Sequence, residues 1–196
     1  MRPALLALIA PLLLACTPPP SQDTGWRLME AESAVNFVSV KSGEIAEVHR
    51  FTGLRGTVGE DGLAELVVEL ASVETGIDIR NERMREHLFD VATHASATAR
   101  STVDIDRLDS LLLGQRSTVT LDLIVTLNGA QLRLDTPVVV TRIAEDRVLV
   151  ESAGPVVLLA DDVGYTAGLE TLRELADLPS ISPVVPVTVS LVFERA

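Results

Sequence analysis

The sequence predicts an all-β chain with one or two short helices, folded as an antiparallel sheet of about eight strands. Three observations carry this expectation. Apolar residues recur at every second position in several segments, and tight-turn signals separate those segments. Val, Leu and Ala dominate the apolar residues, whereas aromatics make up only 3%. β-Branched Val suits a pleated, half-buried surface, so such a composition favours strands.

In chain order, the first strand candidates are 34–40 and 51–58, the second turned by Gly59-Glu60-Asp61-Gly62 into 63–70. Within 63–70, Ala64, Leu66, Val68 and Leu70 share one face, with Glu65 and Glu69 on the other. Residues 81–89 space Leu, Met and Phe among charges and predict a short helix. A further strand is expected at 102–108. The clearest alternation lies in 117–127, where Val119, Leu121, Leu123, Val125 and Leu127 oppose Thr118, Thr120, Asp122, Ile124 and Thr126. Asn128-Gly129 follows, and both residues tolerate the positive φ of a type I′ turn. The chain therefore returns as a hairpin through Leu132, Leu134, Val138 and Val140. Ala144-Glu145-Asp146-Arg147 turns it again into Val148-Leu149-Val150. Residues 166–178 predict a second helix, with Leu169, Leu172, Leu175 and Ala176 on one side and Pro179 as a stop. The last strand, 187–194, sets Val187, Val189, Leu191 and Phe193 against Thr188, Ser190 and Glu194. Short links of this kind make a meander rather than βαβ units. Such a sheet can close into a barrel wide enough for one elongated apolar ligand, or pack as a filled sandwich; periodicity does not choose between them.

The N-terminus has a separate signature. Arg2 precedes an apolar stretch at 4–15, and Cys16, the only cysteine, closes the run Leu12-Leu13-Leu14-Ala15-Cys16. This arrangement predicts a signal peptide at 1–15 and lipidation at Cys16, with acyl chains of palmitate type. The stretch 4–15 rises only about 18 Å as a helix, short of a hydrocarbon core of roughly 30 Å. Two or more acyl chains would instead hold the protein stably on a membrane. Thr17 follows the cysteine where an Asp would signal inner-membrane retention, so the expected location is the bacterial cell envelope, at the outer membrane facing the periplasm. Residues 16–25 then read as the lipidated N-terminus and a Pro-rich tether, and 26–196 as one folded domain.

Composition excludes several function classes. A formal charge of −12 repels nucleic acid and anionic lipid headgroups. With Cys16 lipidated, no thiol remains for a disulfide, a redox pair or a thiolate metal site. His49, His87 and His94 lack HExxH or paired carboxylate spacing, so they read as structural or solvated and no metal is expected. The chain has no GxSxG elbow, and Gly53-x-x-Gly56-x-x-Gly59 precedes no helix that would bind phosphate. No catalytic residue or cofactor is assigned, and the protein is expected not to be an enzyme.

Residues 72–99 carry a more specific pattern. Val73-x-Thr75 is followed by Arg80-Asn81-Glu82-Arg83-Met84-Arg85 and then by Leu88-Phe89-Asp90. Together with Ser33-x-Val35-x-Phe37, Phe51-x-Gly53-x-x-Gly56 and the stretch from Thr120-Leu121 to Asn128-Gly129, their order and spacing resemble the YceI family of polyisoprenoid-binding proteins over 26–194. The resemblance implies a lipocalin-like barrel that carries, stores or senses a polyprenyl lipid or quinone in its interior. The candidate ligand-lining residues are Phe37, Phe51, Leu66, Val68, Leu88, Phe89, Leu121 and Leu123, with plain core as the alternative role. Residues 93–99 replace the family's aromatic-Pro pair, so Val, Leu and Ala rather than rings are expected to line the interior, and 161–186 to cover one mouth. The cluster 80–85 is either an anion or headgroup clamp at the barrel mouth or a solvated helix face paired with Glu82 and Glu86. A homodimer is a further expectation. The rival reading is an envelope structural or interaction lipoprotein with a filled barrel and no small-molecule ligand.

Overall fold

The computed structural model describes residues 25–196; the expected signal peptide, the expected lipidation site Cys16 and the expected tether before Gly25 lie outside the described residues. Alternation along the strands builds eight antiparallel staves, several of them broken once where a turn interrupts the pattern. β1 (Trp26–Leu28) and β2 (Ala34–Lys41) form the first, separated by a 3-10 turn at Glu30–Glu32. β3 (Ile45–Phe51) and β4 (Leu54–Val58) form the second. The third joins β5 (Leu63–Glu69) to β6 (Val73–Glu74) through a 3-10 turn at Leu70–Ser72. β7 (Ser96–Thr102), β8 (Arg116–Leu127) and β9 (Ala130–Ala144) are unbroken. β10 (Arg147–Ser152) with β11 (Val156–Leu159) makes the seventh, and β12 (Val184–Arg195) the eighth.

Each stave pairs with the next in sequence, and β12 closes the ring by pairing with β1 (Phe193 opposite Leu28) and with β2 (Val187 opposite Phe37). The expected barrel is therefore formed, and the sandwich alternative is not. Closure satisfies the backbone groups that an open sheet would leave at its edges. The β8–β9 hairpin turns at Asn128 (φ 51°) and Gly129 (φ 75°), the geometry its sequence implies.

The helices sit at the two ends. α1 (Asp78–Arg83) runs into a π-helical turn at Met84–Leu88, and α3 (Thr166–Leu175) packs against that turn. Close approach depends on Gly168, because a Cβ there would lie 2.5 Å from the His87 carbonyl oxygen and 3.0 Å from the Leu88 Cα. Lys41 bridges to Ile181, and the Asn128 amide donates to the Val163 carbonyl at 2.9 Å, so the β2–β3 turn and the β8–β9 hairpin lie at this same end. α2 (Ile105–Asp109) occupies the opposite end, where the Asp109 carboxylate pairs with Arg195.

The structure corrects the expected strand at 102–108. The strand there is β7, ending at Thr102, and Asp104 caps α2 by accepting from the Arg107 N–H at 3.0 Å. An Asp before a short apolar run favours a helix start over a continuing strand. Two core clusters anchor the ends, one around Trp26, Leu54, Val148 and Phe193, the other around Phe37, Leu70, Val73, Met84, Phe89 and Tyr165.

Candidate binding cavity

Alternate residues of every stave point inward, and in an eight-stranded barrel the space they enclose is wide enough to hold a ligand. Here they do not meet. They line a cavity of about 980 Å³, near the top of the roughly 300–1,000 Å³ common for ligand sites. β5 contributes Ala64, Leu66 and Val68, and β7 contributes Ala97, Ala99 and Ser101. β8 presents Val119, Leu121, Leu123 and Val125, while β12 adds Val185, Val187, Val189 and Leu191. The wall is thus mainly aliphatic, and the interior is not plugged by its own side chains.

All eight candidate residues read from the sequence lie on this wall: Phe37, Phe51, Leu66, Val68, Leu88, Phe89, Leu121 and Leu123. Phe37 and Phe89 are buried, whereas Phe51, Leu66, Leu88, Leu121 and Leu123 keep partial exposure. The lining is mainly Val, Leu and Ala, as expected, with rings set into it. The four Phe, the Trp and the Tyr of the chain all line the cavity. A ladder runs from His49 to Phe37 (5.2 Å between centroids), Phe51 (5.3 Å), Phe89 (5.6 Å) and Tyr165 (5.8 Å). Tilted and edge-on contacts of this kind are favourable beyond their buried area. Ala97 and Ala99 supply small side chains on β7, and the rings come from other staves, from the end of the π-helical turn (Phe89) and from the segment after β11 (Tyr165).

Residues 161–186 line the same end, as expected. Val163, Tyr165, Leu169, Leu172 and Leu175 face the cavity from α3 and the turn before it. Burial alone pushes the Tyr165 hydroxyl pKa upward, and the hydroxyl has no hydrogen-bond partner.

A cluster of polar side chains reaches the cavity from the β2–β3 hairpin. Ser39, Lys41, Glu47 and His49 share the inner face with Phe37 and Phe51. Lys41 Nζ lies 2.8 Å from Glu47 Oε2, and Arg80 from α1 lies 2.9 Å from the same oxygen. Bonding to Lys41, then Arg80, holds the Glu47 carboxyl below its usual pKa against the opposing cost of burial. His49 is 3% exposed, and burial, with Arg80 nearby, lowers its pKa. The ring is therefore neutral near pH 7.

The arginines of the 80–85 cluster do not pair with Glu82 or Glu86. Arg80 instead donates to Thr75 through Nε (2.9 Å to Oγ1) and through its second terminal nitrogen (2.6 Å to the carbonyl). Arg83 donates to the Leu175 carbonyl at 3.0 Å, and Arg85 to the Ala71 carbonyl at 2.7 Å. Asn81, buried at 3% exposure, accepts from both the Thr75 N–H (2.9 Å) and its hydroxyl (2.6 Å). The Thr75–Arg80–Asn81 motif is thus a clamp that seats α1 on the barrel. Among the described residues, no group of three or more His, Cys, Asp or Glu side chains comes together to hold a metal. His87 lies 3.8 Å from Glu86, and His94 packs beside Gly129.

Comparison with known proteins agrees with this geometry. The family profile of the YceI-like domain matches residues 26–193. A solved polyisoprenoid-binding domain from Saccharophagus degradans, implicated in plant cell wall breakdown, is 39% identical, covering 88% of this chain and 99% of its own, with a TM-score of 0.87. BcnA from Burkholderia cenocepacia (18% identity, 84% of this chain and 98% of its own, TM-score 0.64) and a YCEI protein from Campylobacter jejuni (11%, 97% and 99%, TM-score 0.59) share the fold. No match was found among curated proteins.

Proposed function

Since the chain belongs to the YceI-like domain family, we propose that its barrel is a binding module for a long apolar lipid of polyisoprenoid or quinone type, tethered at the bacterial cell envelope. The observation that carries this reading is the apolar cavity of about 980 Å³ running between the two core clusters. Support comes also from the 39% identical relative, which is described as a polyisoprenoid-binding domain. Removing apolar surface from water contributes about 25 cal/mol per Å², so a long hydrocarbon tail can be held with few polar contacts. The role that fits is carriage, storage or sensing rather than catalysis.

Native mass spectrometry of the purified protein with added polyprenyl alcohol tests the reading. Stoichiometric uptake of one lipid per barrel is the expected result; a clean apo mass with no uptake would sink it.

The anchor is a separate proposal. Lipidation at Cys16 would place the barrel on a short Pro-rich tether at the outer membrane. Cys16→Ser should move the protein from the membrane to the soluble envelope fraction on cell fractionation. Unchanged membrane retention would show that attachment does not depend on this residue.

A further inference from the structure

Polar side chains line both ends of the cavity, but the balance of charge differs: Asp104 and Arg107 offset each other at the α2 end, whereas cations outnumber carboxylates at the β2–β3 end. Along the inner face of the β2–β3 hairpin, Phe37 and Phe51 give way to His49, Ser39, Glu47 and Lys41 toward the turn. Among the lining residues of that end, the cations Lys41, Arg80 and Arg83 face a single carboxylate, Glu47. This local excess of positive charge stands out in a chain whose formal charge is −12. Arg80 is fixed by Thr75 and Glu47, so its charge cannot swing away. Lys41 spends one donor on Glu47 and has further N–H groups to offer. Deeper on the same face, His49 Nε2 pairs with Ser39 Oγ at 2.8 Å, and His49 Nδ1 has no partner although the side chain is 3% exposed. Buried polar groups are rarely left unpaired; with Ser39 donating to Nε2, the free Nδ1–H beside this net positive charge suits an oxygen-rich guest.

We propose that this end is an anion site: it receives a carboxylate or phosphate carried on the apolar tail, with Lys41 donating and Arg80 supplying fixed charge. The proposal rests on the lipid-binding reading and adds the head group and the orientation. The tail then lies toward Leu121, Leu123 and the Trp26 end.

Probes sharing one tail separate the two readings. Geranylgeraniol, geranylgeranyl phosphate, the corresponding carboxylic acid and the corresponding amine are titrated against the protein, with Trp26 fluorescence as the readout. At least one of the two anions is expected to bind about tenfold more tightly than the alcohol, and the amine more weakly, because charge-assisted hydrogen bonds are the stronger ones. Whichever anion is tighter identifies the source. Lys41→Met should erase most of that preference, lowering affinity for the anion far more than for the alcohol, since the methylene stem is retained. Equal affinity for all four heads, or an equal loss for alcohol and anion in Lys41→Met, would overturn the anion site and leave the cavity reading intact. Failure of every probe to bind would overturn both.

Discussion

Replacing Ala99 with Trp should abolish lipid uptake while leaving the barrel folded. Ala99 lies on β7 opposite Leu66 of β5 and Val125 of β8, and all three line the cavity. An indole there would project across the lumen and take the space a chain of methylenes needs. Affinity for a polyprenyl alcohol is expected to fall by at least about a hundredfold, the equivalent of roughly 2.7 kcal/mol. Overpacking usually costs stability, but that cost arises where a core is already full. Here the added ring enters open space, so the melting temperature should change little. Ala99→Val, which adds only two carbons, should bind nearly as wild type does. Wild-type uptake by Ala99→Trp would place the lipid somewhere other than this lumen.

The largest stability loss is expected from Trp26→Ala. Trp26 is fully buried on β1, the short strand that pairs with both β4 and β12 and so joins the first stave to its neighbours on either side. The guanidinium groups of Arg142 and Arg195 sit over its ring, 5.4 and 5.1 Å from the centroid. Truncation removes the largest side chain of that core cluster and both cation–π contacts, and large-to-small changes of this kind cost about 3–5 kcal/mol. The urea midpoint should fall accordingly. Trp26→Phe keeps a ring, and since Nε1 has no hydrogen-bond partner, the substitution strands no polar group. Its loss should be well under half that of Trp26→Ala; equal losses would show that the ring's packing is not what holds β1 in place.

Much of the barrel was legible because local and tertiary signals agreed. In β8 and β9, strict alternation ran into Asn128-Gly129, whose positive φ values specify the hairpin. β3 was missed for a physical reason that bears on function. Its inward residues include Glu47 and His49, while Val48 faces solvent at 71% exposure. Alternation there is inverted, and apolar periodicity has nothing to detect. β7 was misplaced because Ala97, Ala99 and Ser101 are too small to mark a face. The candidate cavity residues were readable as apolar positions of an alternating sheet, and closure brings them to one wall. What spacing could not show was pairing across long separations. The 80–85 arginines suggested neighbours one helical turn away, yet Arg80 finds Glu47 on a different stave and Arg83 finds the end of α3. The aromatic ladder likewise assembles Phe37, Phe51, Phe89 and Tyr165 from four separate segments.

Lipid binding of this kind requires an open lumen that accepts a hydrocarbon chain lengthwise. Crystallisation of the protein with a polyprenyl alcohol examines this directly. Continuous electron density threading past Phe51, Leu66 and Leu121 toward Trp26 is the predicted result. Density confined to the outer surface, with these side chains collapsed onto one another across the barrel, would contradict it.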